Sequence, residues 1–143
     1  MKKITCLFFT LASSILLSLG VFAQVKKVEA IGITVQDMDR SLQFYTRVLG
    51  FAKVSDQEYS GEDFEKLQGV FGLHIRVARL QLGDEFIELT DYLTTGGRSI
   101  PEDARSNDLF FQHIAIVVSD MDKAYQQVKK YNVTHVSTSP QTL

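Results

Sequence analysis

Glu88 stands between Ile87 and Leu89 in the run FIELT, and a carboxylate that interrupts an apolar alternation must either face water or have a use. The preceding run puts Arg79 and Gln81 on the side opposite Leu80 and Leu82. Farther along, the alternation of FQHIAIVV at residues 111–118 groups His113 with Ala115 and Val117, away from Ile114 and Ile116. A carboxylate and an imidazole that share one ligand suit proton transfer beside a bound carbonyl, with Glu88 as base and His113 or a metal polarising the oxygen. His74 and His135 read as partly exposed strand residues.

The elements that would position these groups come from a duplication. AIGITVQDMDRSLQ at residues 30–43 returns as HIAIVVSDMDKAYQ at residues 113–126, so that Ile31, Ile33 and Val35 match Ile114, Ile116 and Val118. His113 thereby takes the place of Ala30. Solenoid repeats are much shorter than this spacing. An alternating run that passes into a helical pattern points instead to two copies of one α+β unit, with a site between them.

In the first copy, residues 28–35 alternate as a strand, with Ala30, Gly32 and Thr34 facing away from the isoleucines. Asp37 is an N-cap, and Met38, Leu42, Tyr45 and Leu49 keep helical spacing until Gly50 stops the helix. Strands are expected at residues 51–59, 74–82 and 86–91, a short helix at 62–68, and a turn at Gly83-Asp84-Glu85. The order is β-α-β-β-β over residues 28–92, with one polar face. Residues 93–110, with Gly96-Gly97 and Pro101, form a linker. Residues 111–143 form a second, partial copy: a strand at 111–118, a helix capped by Asp120 that runs through Ala124, Val128 and Tyr131, and the start of another strand at 133–136.

The N-terminus reads differently. Lys2 and Lys3 precede an uncharged apolar run that ends in Val21-Phe22-Ala23, the pattern of a signal peptide over residues 1–23. Cleavage after Ala23 leaves residues 24–143 as one domain, exported to the periplasm or the extracellular space, with no stable membrane association. The single cysteine, Cys6, goes with the peptide. With 15 basic against 17 acidic residues and no long charge run, the chain is not expected to bind nucleic acid.

Three segments, IGITVQDMDRSLQFYTRVLGF, LQLGDEFIELTDY and FQHIAIVVSDMDKAY, resemble the vicinal oxygen chelate superfamily, which groups glyoxalase I, bleomycin-resistance proteins and extradiol dioxygenases. The resemblance implies an α+β fold of paired β-α-β-β-β modules whose mixed sheet curves into a cup, the second module being incomplete within this chain. It also implies one divalent metal, Zn, Ni, Mn or Fe, in many members and none in others. His113 matches the first-strand ligand of the second module, and Glu88 matches the last-strand ligand of the first. Ala30 stands at another ligand position and offers no donor atom. Glu29, next to it, has the opposite strand parity. His113 is either a ligand or a histidine hydrogen-bonded in the cup. Arg79, Gln81 and Thr34 are the candidate substrate contacts, and Glu88 is the candidate catalytic group. The resemblance leaves two functions open: a protein that holds a small molecule in its cup, or a metal-dependent lyase, isomerase or dioxygenase that uses Glu88 and His113. Unpaired strand edges would favour pairing with another chain, a homodimer among the outcomes.

Overall fold

A computed structural model describes residues 25–110, 113–131 and 133–141. The expected signal peptide lies outside the described residues. Among those residues no helix is long and apolar enough to cross a membrane.

Four strands, β1 (Ile31–Val35), β2 (Ala52–Ser60), β3 (His74–Leu82) and β4 (Glu85–Tyr92), form one sheet in the order β1-β4-β3-β2. β1 runs parallel to β4, and β3 is antiparallel to both of its neighbours. The first copy is therefore the expected β-α-β-β-β unit, with helices α1 (Met38–Gln43) and α2 (Glu62–Gln68) in the connections. The β3–β4 hairpin turns on Gly83, whose φ of 61° suits a residue without a Cβ. β1 is shorter than its alternation predicts, because it begins at Ile31 rather than Val28.

The core lies on one face of the sheet. Ala78, Leu80, Ile87 and Leu89 are buried there with Met38 of α1 and with Phe51, and Ile33, Val35, Leu42 and Tyr45 pack around them. Burial of this apolar surface is the main force holding helix to sheet. Two polar braces fix the arrangement. The Met38 amide donates to Asp91 Oδ2 at 3.0 Å, which ties the start of α1 to the end of β4. Arg76 reaches Asp56 through two nitrogens, at 2.8 and 2.9 Å, and Asp39 of α1 at 2.9 Å.

The helix expected to run unbroken to Leu49 changes form. From Phe44 to Val48 it widens into a π-helical segment, with the Leu49 amide donating to the Phe44 carbonyl at 3.2 Å. Thr46 Oγ1 donates to the Leu42 carbonyl at 2.7 Å, and the Phe51 amide donates to the Tyr45 carbonyl at 3.0 Å. Side-chain and exit contacts that compete for the same carbonyls explain the departure from a regular α-helix.

The second copy repeats the cap but not the sheet. Helix α3 (Met121–Lys129) starts at Asp120, whose Oδ1 accepts from the Lys123 amide at 2.9 Å, as Asp37 Oδ1 accepts from the Arg40 amide at 2.9 Å. Residues 113–118 and 133–136, both expected as strands, carry no ladder pairing among the described residues. A strand exists through its backbone partners, and among the described residues these segments have none in a ladder. Residues 111 and 112 lie outside the described residues. Ile114 and Ile116 still pack against the first copy's core, leaving His113, Ala115 and Val117 exposed.

Candidate functional site

Strand register divides the chemistry between the two faces. Arg79 pairs directly with Glu88, Gln81 with Phe86, and Val77 with Thr90, while Gly32 and Thr34 of β1 pair with Glu88 and Thr90. All of these project from the face opposite the core. α2 covers one end of that face, where the Tyr59 and Phe64 rings lie 4.8 Å apart and Tyr92 Oη donates to Gln68 at 3.2 Å. The remainder is open: Gly32, Thr34 and Ser55 are exposed, and Val77, Phe86, Glu88 and Thr90 are half-buried.

Arg79 is the centre of this open region. Its Nη1 donates to Glu88 Oε1 at 2.8 Å, its Nη2 donates to Glu29 Oε1 at 2.7 Å, and its guanidinium lies 4.4 Å over the Phe86 ring. Glu29 is also paired with Lys27. The ammonium of Lys27 and then the guanidinium of Arg79 hold the Glu29 carboxyl below its ordinary range. Glu29 escapes the parity rule because β1 starts two residues after it, so the chain there is free to turn its carboxylate towards Arg79. Strand parity read from the sequence sets Glu29 aside only by being extended beyond the strand. It also passes over Phe86, although the register of that ring opposite Gln81 can be had from the hairpin turn.

The other expected site residues are distributed less favourably. Thr34 shares the open face on β1. Gln81 also lies on that face, but its Nε2 donates to the Gly83 carbonyl at 2.9 Å, which occupies it at the hairpin turn. His113 lines a groove of about 440 Å³ with Ile31, Glu85, Phe86 and Ile87, and makes no hydrogen bond to Glu88. Phe86 is the wall common to that groove and to the Arg79 cluster. Outside the site, His74 Nε2 lies 2.8 Å from Glu58, and His135 packs 5.1 Å from the Tyr125 ring.

Among the described residues the donor set does not fit a metal. Among the described residues no three His, Cys, Asp or Glu side chains converge, and the carboxylate of Glu88 already faces a fixed cation in Arg79. What the cluster offers instead is a planar five-donor fork beside a carboxylate able to accept a proton or a hydrogen bond.

A four-stranded mixed sheet with its helix-covered core on one side and an open polar face on the other is a glyoxalase-like fold, and solved structures share it. A glyoxalase family protein from Bacillus cereus superposes with a TM-score of 0.70 at 20% identity, over 82% of this chain and 81% of that one. The trypanothione-dependent glyoxalase I of Leishmania major superposes with a TM-score of 0.52 at 20% identity, over 76% of this chain and 68% of that one. No protein of curated function matches the chain. The sequence profile of the glyoxalase/bleomycin resistance protein/dioxygenase superfamily matches residues 27–142, and the chain belongs to that superfamily.

Proposed function

We propose that this chain is an exported member of the superfamily that binds a small molecule on the open face of the sheet, at Arg79 and Glu88. The observation that carries this reading is the half-buried Arg79–Glu88 pair set on the face that the core does not use. A charged pair on a broad open face adds little to stability, which leaves its groups available for recognition. Glu88 accepts from a ligand donor or takes a proton from it, and Thr34 lies on the same face as a further polar contact. The experiment is a small-molecule screen against the purified chain by ligand-detected NMR. Hits that persist unchanged in both Arg79→Gln and Glu88→Gln would place binding elsewhere. The signal pattern at residues 1–23 supports export; mature protein should begin at Gln24 and be recovered outside the cytoplasm.

The alternative is a metal-dependent lyase, isomerase or dioxygenase with Glu88 and His113 as ligands. It requires donors beyond those that the described residues bring together. Calorimetric titration of Zn²⁺, Ni²⁺ and Mn²⁺ should show weak binding, and tight stoichiometric uptake lost in both Glu88→Ala and His113→Ala would favour the alternative.

A further inference from the structure

The two carboxylates on Arg79 are held in different ways. Glu88 belongs to β4, and its backbone is held in register by both β1 and β3, directly opposite Arg79. Glu29 belongs to residues 25–30, which carry no ladder pairing, and its side chain is 60% exposed against 21% for Arg79. Its second partner, Lys27, is 73% exposed. Arg79 itself is fixed on one edge by Glu88 and beneath by the Phe86 ring, and its Nη2 also donates to the Glu29 backbone carbonyl at 3.3 Å, a contact that loss of the Glu29 carboxylate would leave in place. A preorganised fork thus has one permanent carboxylate and one borne on a segment outside the sheet.

The strand surface beside it is open to solvent. A Cβ added at Gly32, the residue in register with Glu88, would meet nothing within 4 Å, and Thr34 on the same strand is exposed. The body of a small ligand could lie there with its acid group on Arg79.

Resting on the binding reading above, we infer that the ligand is a small monocarboxylic acid, and that Glu29 is an internal stand-in which the ligand's carboxylate displaces from Arg79. The exchange replaces one carboxylate by another, so the charge on the guanidinium stays matched. Glu88, which remains, repels a second negative group and selects monocarboxylates over dicarboxylates. A neutral amide of the same shape lacks the charge that the fork prefers. Glu29 thereby sets the affinity, because the ligand must outcompete it.

The test is titration of the chain with propionate and benzoate, with propionamide and benzamide as neutral controls and succinate as the dicarboxylate, followed by amide shifts at Gly32, Thr34 and Thr90. The two monocarboxylates should shift these backbone signals, whereas the neutral controls and succinate should not. Glu29→Gln, exposed and outside the sheet, should bind benzoate about three- to fivefold tighter, the factor expected from removing an exposed ion pair. Arg79→Lys, which keeps the charge but loses the fork, should bind it more weakly. Unchanged or weaker binding in Glu29→Gln overturns the inference. Neutral controls that bind as well as their acids also overturn it while leaving the binding reading intact. If neither class shifts these residues, the inference falls and the binding reading stands or falls with the ligand screen above.

Discussion

Arg76 and Arg79 leave the same strand in opposite directions, and the two guanidiniums have different tasks. Arg76, on the core side, is a brace: its fork holds the Asp56 carboxyl down to about 2 from an ordinary 3.8, against the opposing effect of partial burial. The Asp56 side chain is only 16% exposed, so the shift is a statement about stability. A depressed acid contributes fully above its unfolded value and loses that contribution as pH falls through its folded one. Stability should therefore drop between about pH 4 and pH 2 by about 2 kcal/mol from this group. Asp56→Asn should cost a similar amount at pH 6 and flatten that part of the profile, as read from urea midpoints; an unchanged acid limb would refute the brace. Arg79, on the other side, was legible from sequence together with Glu88, because strand parity holds within β3 and β4. Glu29 was not, because parity has no meaning once the chain leaves the ladder. The repeat puts His113 at the position of Ala30, but residues 113–118 carry no ladder pairing among the described residues and His113 lies in a groove rather than beside Glu88.

The two Asp-Met-Asp caps offer a matched pair of elements within one molecule. Asp37 and Asp120 have nearly the same backbone, with φ of −145° and −150°, and each accepts from the amide three residues on. Their helices are seated differently: Met38 is 2% exposed and its amide is held by Asp91, whereas Met121 is 58% exposed. Loss of the first cap should thus be felt by the core, and loss of the second should be mostly local. We expect Asp37→Ala to lower global stability by about 1–2 kcal/mol and Asp120→Ala by under about 0.5 kcal/mol. Equal losses in chemical denaturation would mean that α3 is as well integrated as α1. Caps, the Gly83 turn and the short α2 were readable because each depends on neighbouring residues. The π-helical segment was not, since it arises from competition for the Leu42 and Tyr45 carbonyls that no spacing rule records.

At the scale of the whole molecule, the sheet has two edges, β1 and β2, and among the described residues the second copy adds apolar surface without adding strands. Val117 is 97% exposed, and Val118, Met121, Ala124 and Val128 border a groove along α3 with Ile116. Such a surface favours self-association. Sedimentation velocity over a range of concentrations should show species larger than the monomer, and Val117→Lys with Met121→Lys should suppress them. A cooperative monomer at every concentration would count against this. The fold class was readable at this scale because the repeat covers the first strand and helix of each module. The lack of pairing in the second copy was not, because a strand-like pattern states what a segment can do and not whether a neighbour is present. The alternation of β3 and β4 carries one more consequence. Ala78, Leu80, Ile87 and Leu89 hold the core, while Val77, Arg79, Phe86 and Glu88, interleaved with them, lie on the other face. Substitutions can therefore change the open face one residue at a time without disturbing the packing beneath, so this sheet is a surface whose chemistry can be rewritten while the scaffold stays the same.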